Sequence, residues 1–195
     1  MLEKTLHKYD LLNQLAEQEG IVLFGGTDDL NIPVCELKQA FSIEKNIYNR
    51  SFENLSLDIA VMVYDKVIQP LLPDTLLIHL GSADLQLFNE TPAQFDQNYR
   101  KLVSHIRTSN PSCRIAVVSL KNLNQNSQVD ELNKHLKYLA EAEHCEFFDI
   151  SGKKIWNPKN LKDSISFIHS IGFVRPLKMK QPLYDLIRIF FCYLD

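Results

Sequence analysis

The chain has 195 residues, with 21 Lys and Arg set against 24 Asp and Glu for a net charge of −3. That length can bury a substantial core as one domain over residues 1–195, without disulfide or metal staples. The cations are scattered among acids, which excludes a basic nucleic-acid-binding face. Residues 1–10 lack an apolar signal core and no later run is long enough to span a bilayer, so the expectation is a cytoplasmic protein. The cysteines Cys35, Cys113, Cys145 and Cys192 are far apart and form no CxxC pair. They read as reduced thiols, Cys113 and Cys145 in the core, and no metal or cofactor is implied.

In chain order, Leu2, Leu6, Tyr9, Leu12, Leu15 and Ala16 predict a helix over 2–19 closed by Gly20. Ile21-Val22-Leu23-Phe24 is too short an apolar run for a buried helix. It reads as a buried strand that runs into the turn Gly25-Gly26-Thr27-Asp28-Asp29. A short helix is expected around Val34–Ala40 and a second short strand at Ile47-Tyr48-Asn49. Leu55, Ile59, Met62, Val63 and Val67 predict a helix over 55–69, stopped by Pro70 and Pro73.

Thr75–Leu80 is the most strand-like stretch, and it too ends in a turn, Gly81-Ser82-Ala83-Asp84. Residues 92–107 carry helix-start signals, with Thr91 as N-cap, Pro92 at the first position and Gln94 completing a capping box. Arg114–Leu120 predicts a fourth strand, Val129 to Leu139 a helix and Glu146–Ile150 a fifth strand. After Ser151 the pattern loosens before an apolar terminal helix over 183–194, a candidate contact for a homo-oligomer. Short, unalternated strands separated by helices predict a three-layer α/β/α sandwich, flavodoxin-like, with a five-stranded parallel sheet in the order 2-1-3-4-5.

In such sheets chemistry sits at the carboxyl ends of the strands. Here those ends carry Gly25-Gly26-Thr27, Asn49 to Asn54 and Gly81-Ser82-Ala83-Asp84, with Asp163-Ser164-Ile165-Ser166, His169 and Gly172-Phe173 later in the chain. Taken singly, each is also an ordinary strand-to-loop turn or cap. In order and spacing together they resemble the SGNH, or GDSL-type, hydrolase superfamily. The resemblance implies a Gly-Asp-Ser block whose Ser is the nucleophile, and here it reads Gly25-Gly26-Thr27. It implies an Asn-to-Gly block, here Asn49 to Asn54. It also implies Gly-x-Asn-Asp, here with Ala83 in the place of the oxyanion-hole Asn and Asp84 matching the structural Asp. A final Asp-x-x-His block reads Asp163 to Ser166, with Ser166 where the base belongs.

The departures all fall on chemistry. A Thr nucleophile still needs a base, and losing a side-chain oxyanion donor costs on the order of 10²–10³ in turnover. The backbone N–H groups of Thr27 and Asn54 would remain as anion donors. One expectation is therefore a catalytically impaired protein that binds a small acylated ligand or a protein partner. The alternative is an active ester hydrolase with Thr27 as nucleophile, His169 as base and Asp163 behind it; the other reading of His169 is a surface loop residue. A nucleotide binder on the same strand ends lacks the expected glycine spacing. His79 reads as a satisfied core histidine. Asp28, Asp29 and Asp84 together would suit Mg²⁺, although the resemblance gives Asp84 a structural role.

Overall fold

The computed structural model describes residues 2–40, 43–122 and 124–151. The elements are α1 (Leu2–Asn13), β1 (Ile21–Gly25), α2 (Val34–Ala40), β2 (Ile47–Asn49), α3 (Leu57–Val63) and β3 (Thr75–His79). They continue as α4 (Leu85–Glu90), α5 (Pro92–Ser109), β4 (Arg114–Val118), α6 (Ser127–Ala142) and β5 (Glu146–Phe148). The strands form one five-stranded sheet in the order β2-β1-β3-β4-β5, and every neighbouring pair is parallel. This is the expected topology, with helices flanking the sheet.

Its cause is visible in the strands. Every residue of β1 and β3 is buried, so these segments cannot alternate apolar with polar and read as continuous apolar runs. Val22, Phe24, Leu76, Ile78, Ile115 and Val117 face a core closed by α1, α3, α5 and α6. Leu23, Leu77, Ala116 and Val118, the alternate strand positions, are buried as well. Beside them, α2 packs on β2.

Several element ends differ from the sequence reading. The first helix stops at Asn13, six residues short of the expected end, although its apolar spacing continues. Asn13 is diverted into tertiary bonds: its amide donates to Val67 O at 2.8 Å, and its oxygen accepts from the Arg50 guanidinium. Leu15 is left 86% exposed. Gly20 does not cap a helix. It turns at φ +96 beside Asn46 O, where a Cβ would come within 2.4 Å. The helix expected over 55–69 is α3 followed by a π turn at Tyr64–Ile68 and a 3₁₀ turn at Gln69–Leu71.

Pro92 does open α5, but no capping box forms: Thr91 Oγ1 donates to Leu87 O, and the Gln94 side chain reaches Asn98. The fourth and fifth strands are shorter than expected, ending at Val118 and Phe148. The terminal helix over 183–194 lies outside the described residues. Among those residues, no helix is long and apolar enough to cross a membrane. Cys35, Cys113 and Cys145 are free thiols. Cys35 is exposed, while Cys113 and Cys145 are half-buried, and burial pushes the Cys113 thiol up to about 12.

One polar contact sets the rim of the sheet. Asn133 of α6 is buried, and its amide bonds both backbone groups of Leu120, just past β4: Leu120 N–H donates to Oδ1 at 2.6 Å and Nδ2 donates to Leu120 O at 2.8 Å. Asn133→Leu would fill similar space but strand both backbone groups. It should lower the unfolding free energy by about 2–4 kcal/mol, read by urea denaturation; a loss below 0.5 kcal/mol would show that Leu120 finds other partners.

Candidate functional site

The carboxyl ends of β1, β2 and β3 meet around one buried carboxylate. Asp29 lies in the 3₁₀ turn Thr27–Asp29 that follows β1 and is only 1% exposed. Its Oδ2 accepts the Gly26 N–H at 3.1 Å and faces His79 Nδ1 at 2.8 Å. His79, the last residue of β3, is 3% exposed. Because Oδ2 is a carboxylate acceptor, the ring places its Nδ1 proton on that bond. Oδ1 of Asp29 has no partner among the described residues.

Gly25 is what makes room for this group. A Cβ there would sit 2.1 Å from Asp29 Oδ2 and 2.7 Å from Ser51 Oγ. Asn49, at the end of β2, holds the turn from behind: Nδ2 donates to Asp29 O at 2.7 Å, while Oδ1 accepts from Ser51 N and Ser51 Oγ.

Thr27 points away from this pair. It is exposed, and its side chain is joined to Asn54: the Asn54 N–H donates to Thr27 Oγ1 at 2.9 Å, and the hydroxyl reaches Asn54 Oδ1 at 3.3 Å. Asn54 holds φ +50, the left-handed region that glycine occupies freely and Asn tolerates best among other residues. The expectation that Asn54 offers a spare N–H to an anion is corrected, because that N–H is bound to Thr27.

After β3, Gly81 turns at φ +118 and opens the 3₁₀ turn Ser82–Asp84. Ser82 and Ala83 are exposed. Asp84 is buried, and both of its oxygens accept from Leu57 N, at 3.1 and 3.2 Å. It thus caps α3 from another element, since Ser56 makes no side-chain cap. Burial raises the Asp84 carboxyl above its usual range, with the Leu57 N–H acting in the opposite direction. Asp28, Asp29 and Asp84 therefore do not gather into a metal cage. Among the described residues, no group of three or more His, Cys, Asp or Glu could hold an ion.

A small cleft of about 80 Å³ opens on this surface. Its polar wall comprises Gly26, Asp28, Asp29, His79, Ser82 and Lys121, and its apolar wall Leu85, Leu120 and Val129.

The model of the GDSL-like lipase/acylhydrolase family matches residues 5–169. The chain belongs to that family. No curated protein matches it. Among solved structures, it is similar to one from Streptococcus pneumonia provisionally described as a platelet activating factor. That match has 18% identity and a TM-score of 0.66, covering 95% of this chain and 92% of the other. A GDSL-like lipase from Bacteroides thetaiotaomicron matches at 13% identity and TM-score 0.59, over 78% of this chain and 81% of its own. A variant of an acetyl-xylooligosaccharide esterase from Geobacillus stearmophilus matches at 16% and 0.54, over 69% and 78%. At these identities the likeness is one of fold.

Within this GDSL-family frame, Gly25, Gly26, Thr27, Asn54, Gly81, Ala83 and Asp84 all lie at the carboxyl ends of strands or just past them. Asp163, Ser166 and His169 lie outside the described residues. His79 is the satisfied core histidine that the sequence suggests, buried and hydrogen-bonded, but its partner Asp29 escaped the sequence reading. Two signals could have found it. A lone His ends an apolar strand, and an acid stands three residues after the second glycine of the turn.

The two glycines of the turn should respond differently to alanine. Gly25→Ala drives a Cβ into the Asp29 carboxylate and should cost about 1–3 kcal/mol of stability. At Gly26, φ is −97 and the nearest atom to a new Cβ is 3.4 Å away. Gly26→Ala should therefore stay within about 0.5 kcal/mol of the parent. Thermal melts of the two variants check this, and equal losses would refute the assigned role of Gly25.

Proposed function

We propose that this GDSL-family protein does not hydrolyse esters through Thr27, and that it works as an impaired relative which binds a small acylated ligand in the cleft. The carrying observation is the pairing of Thr27 with Asn54, in which the hydroxyl and the neighbouring N–H are joined to each other. A nucleophile needs a base on its proton and free donors at the oxyanion. Thr27 makes its described side-chain hydrogen bonds only to an amide, and Ala83 brings no donor side chain. The cleft supports the binding half of the reading, because it sets three aliphatic side chains against polar groups, as small-ligand sites do.

Steady-state hydrolysis of p-nitrophenyl acetate should lie close to background, and Thr27→Ala should leave it there. Restoring the family residues together, as Thr27→Ser, Ala83→Asn and Ser166→His, should give measurable turnover, while each single reversion should give almost none. Nucleophile, base and oxyanion donor act as a unit, so their effects do not add. Robust turnover that disappears in Thr27→Ala would overturn this reading in favour of an active hydrolase. Loss in His169→Ala and Asp163→Ala as well would then name the base and its partner.

A further inference from the structure

An ammonium drawn partly out of water is costly unless an anion meets it. Among the described residues two lysines are half-buried, Lys38 and Lys121, and the others are exposed. Lys38 donates to Asn46 Oδ1. Lys121 lines the cleft, and its ammonium makes no hydrogen bond or ion pair among the described residues. The main chain that carries it is anchored on both sides. Leu120 is bound through both backbone groups to Asn133, and the Asn122 N–H donates to Ser151 O at 2.9 Å. The same cleft is lined by the aliphatic side chains of Leu85, Leu120 and Val129, brought by α4, the end of β4 and α6, and by the exposed Ser82. Its two acids are satisfied without Lys121: Asp29 accepts from the Gly26 N–H and His79 Nδ1, and Asp28 is exposed to water.

We propose that the cleft binds a short aliphatic monocarboxylate, with the carboxylate on the Lys121 ammonium and the carbon chain against Leu85, Leu120 and Val129. This rests on the binding reading above and deepens it: the acyl group is recognised as its free acid and not as an ester. An ester carbonyl carries no net charge and leaves the Lys121 cation unmatched. A carboxylate neutralises it through a charge-assisted hydrogen bond. Lysine is a compact point charge with three donors, so it suits a small anion without requiring a planar fork. Ser82 adds a hydroxyl donor on the same cleft. The volume of about 80 Å³ and the aliphatic wall restrict the chain to a few carbons. Asp28 restricts the charge, because a second anionic group on the ligand would meet its carboxylate. A monoanion with an aliphatic tail is therefore favoured over a dianion or a bare inorganic anion.

The experiment titrates the full chain with sodium acetate, propionate and butyrate at constant ionic strength and follows the backbone amides by NMR. Saturable shifts are expected at Gly26, Ser82, Leu120 and Lys121. Affinity should rise from acetate to butyrate by up to about fourfold per methylene. Butanamide has the shape of butyrate without its charge and should bind roughly tenfold more weakly or worse. Lys121→Gln should weaken butyrate by roughly tenfold or more, while Lys121→Arg keeps the charge and should retain binding. Added NaCl should weaken butyrate and leave butanamide unchanged. Succinate and inorganic phosphate should both bind more weakly than butyrate. Equal affinity for butyrate and butanamide, an unchanged butyrate affinity in Lys121→Gln, or phosphate binding as tightly as butyrate would overturn the proposal. Should Lys121→Gln fail to fold, the comparison of butyrate with butanamide on the parent chain decides alone. Failure of the binding reading is a separate outcome. Methyl butyrate and butanamide that shift the cleft amides as strongly as butyrate does would refute this proposal and leave that reading in place. A cleft shifted by none of these compounds would refute both, and nitrophenol release that depends on Thr27 would refute the reading alone.

Discussion

A buried carboxylate must find donors or it will not stay buried, and at the centre of this chain Asp29 is that carboxylate. It is held by a backbone N–H from its own turn and by an imidazole from the neighbouring strand. Each hydrogen bond to a charged group is worth roughly 1.5–3 kcal/mol. The surrounding residues are constrained in consequence. Gly25 must lack a Cβ, Asn49 must pin the Asp29 carbonyl, and β3 must end in a residue that can donate. The acid thus comes from the turn after β1 and its imidazole partner from the end of β3.

This arrangement divides the strand ends into two halves. On the β2 side, Thr27 and Asn54 are tied to each other in a loop-to-loop clasp. On the β3 side, Gly26, His79 and Ser82 line the cleft with Lys121 and an aliphatic wall. Asp84, by contrast, has a structural task, capping α3 from across the turn.

Stability and function share these groups. The Asn133 amide fixes Leu120 at the end of β4, and Leu120 is part of the cleft wall. The rim therefore depends on α6 as much as on the strands, and a change in helix packing would be felt as a change in cleft shape.

The sheet was legible from local pattern because each strand is a short apolar run with both faces covered. That pattern needs no knowledge of distant residues, and the helices between such runs supply the crossovers that a parallel sheet requires. That the turns holding Gly25, Thr27 and Asp84 and the strand end at Asn49 lie along one edge of the sheet was legible too, since each follows or ends an apolar run. Element ends were less so: α1 stops early because Asn13 bonds to Val67 and Arg50, partners 54 and 37 residues away. The site was the least legible part. Asp29 and His79 are 50 residues apart, and only the parallel registry of β1 with β3, which sets Gly25 beside His79, brings acid and imidazole together. The amino-acid order by itself determined the layers, the topology and which strand ends could carry chemistry, because those depend on local apolar periodicity. Tertiary structure alone decided which polar groups meet there, because a hydrogen bond over 2.8 Å depends on how two strands are placed in space and not on the spacing of residues along either one.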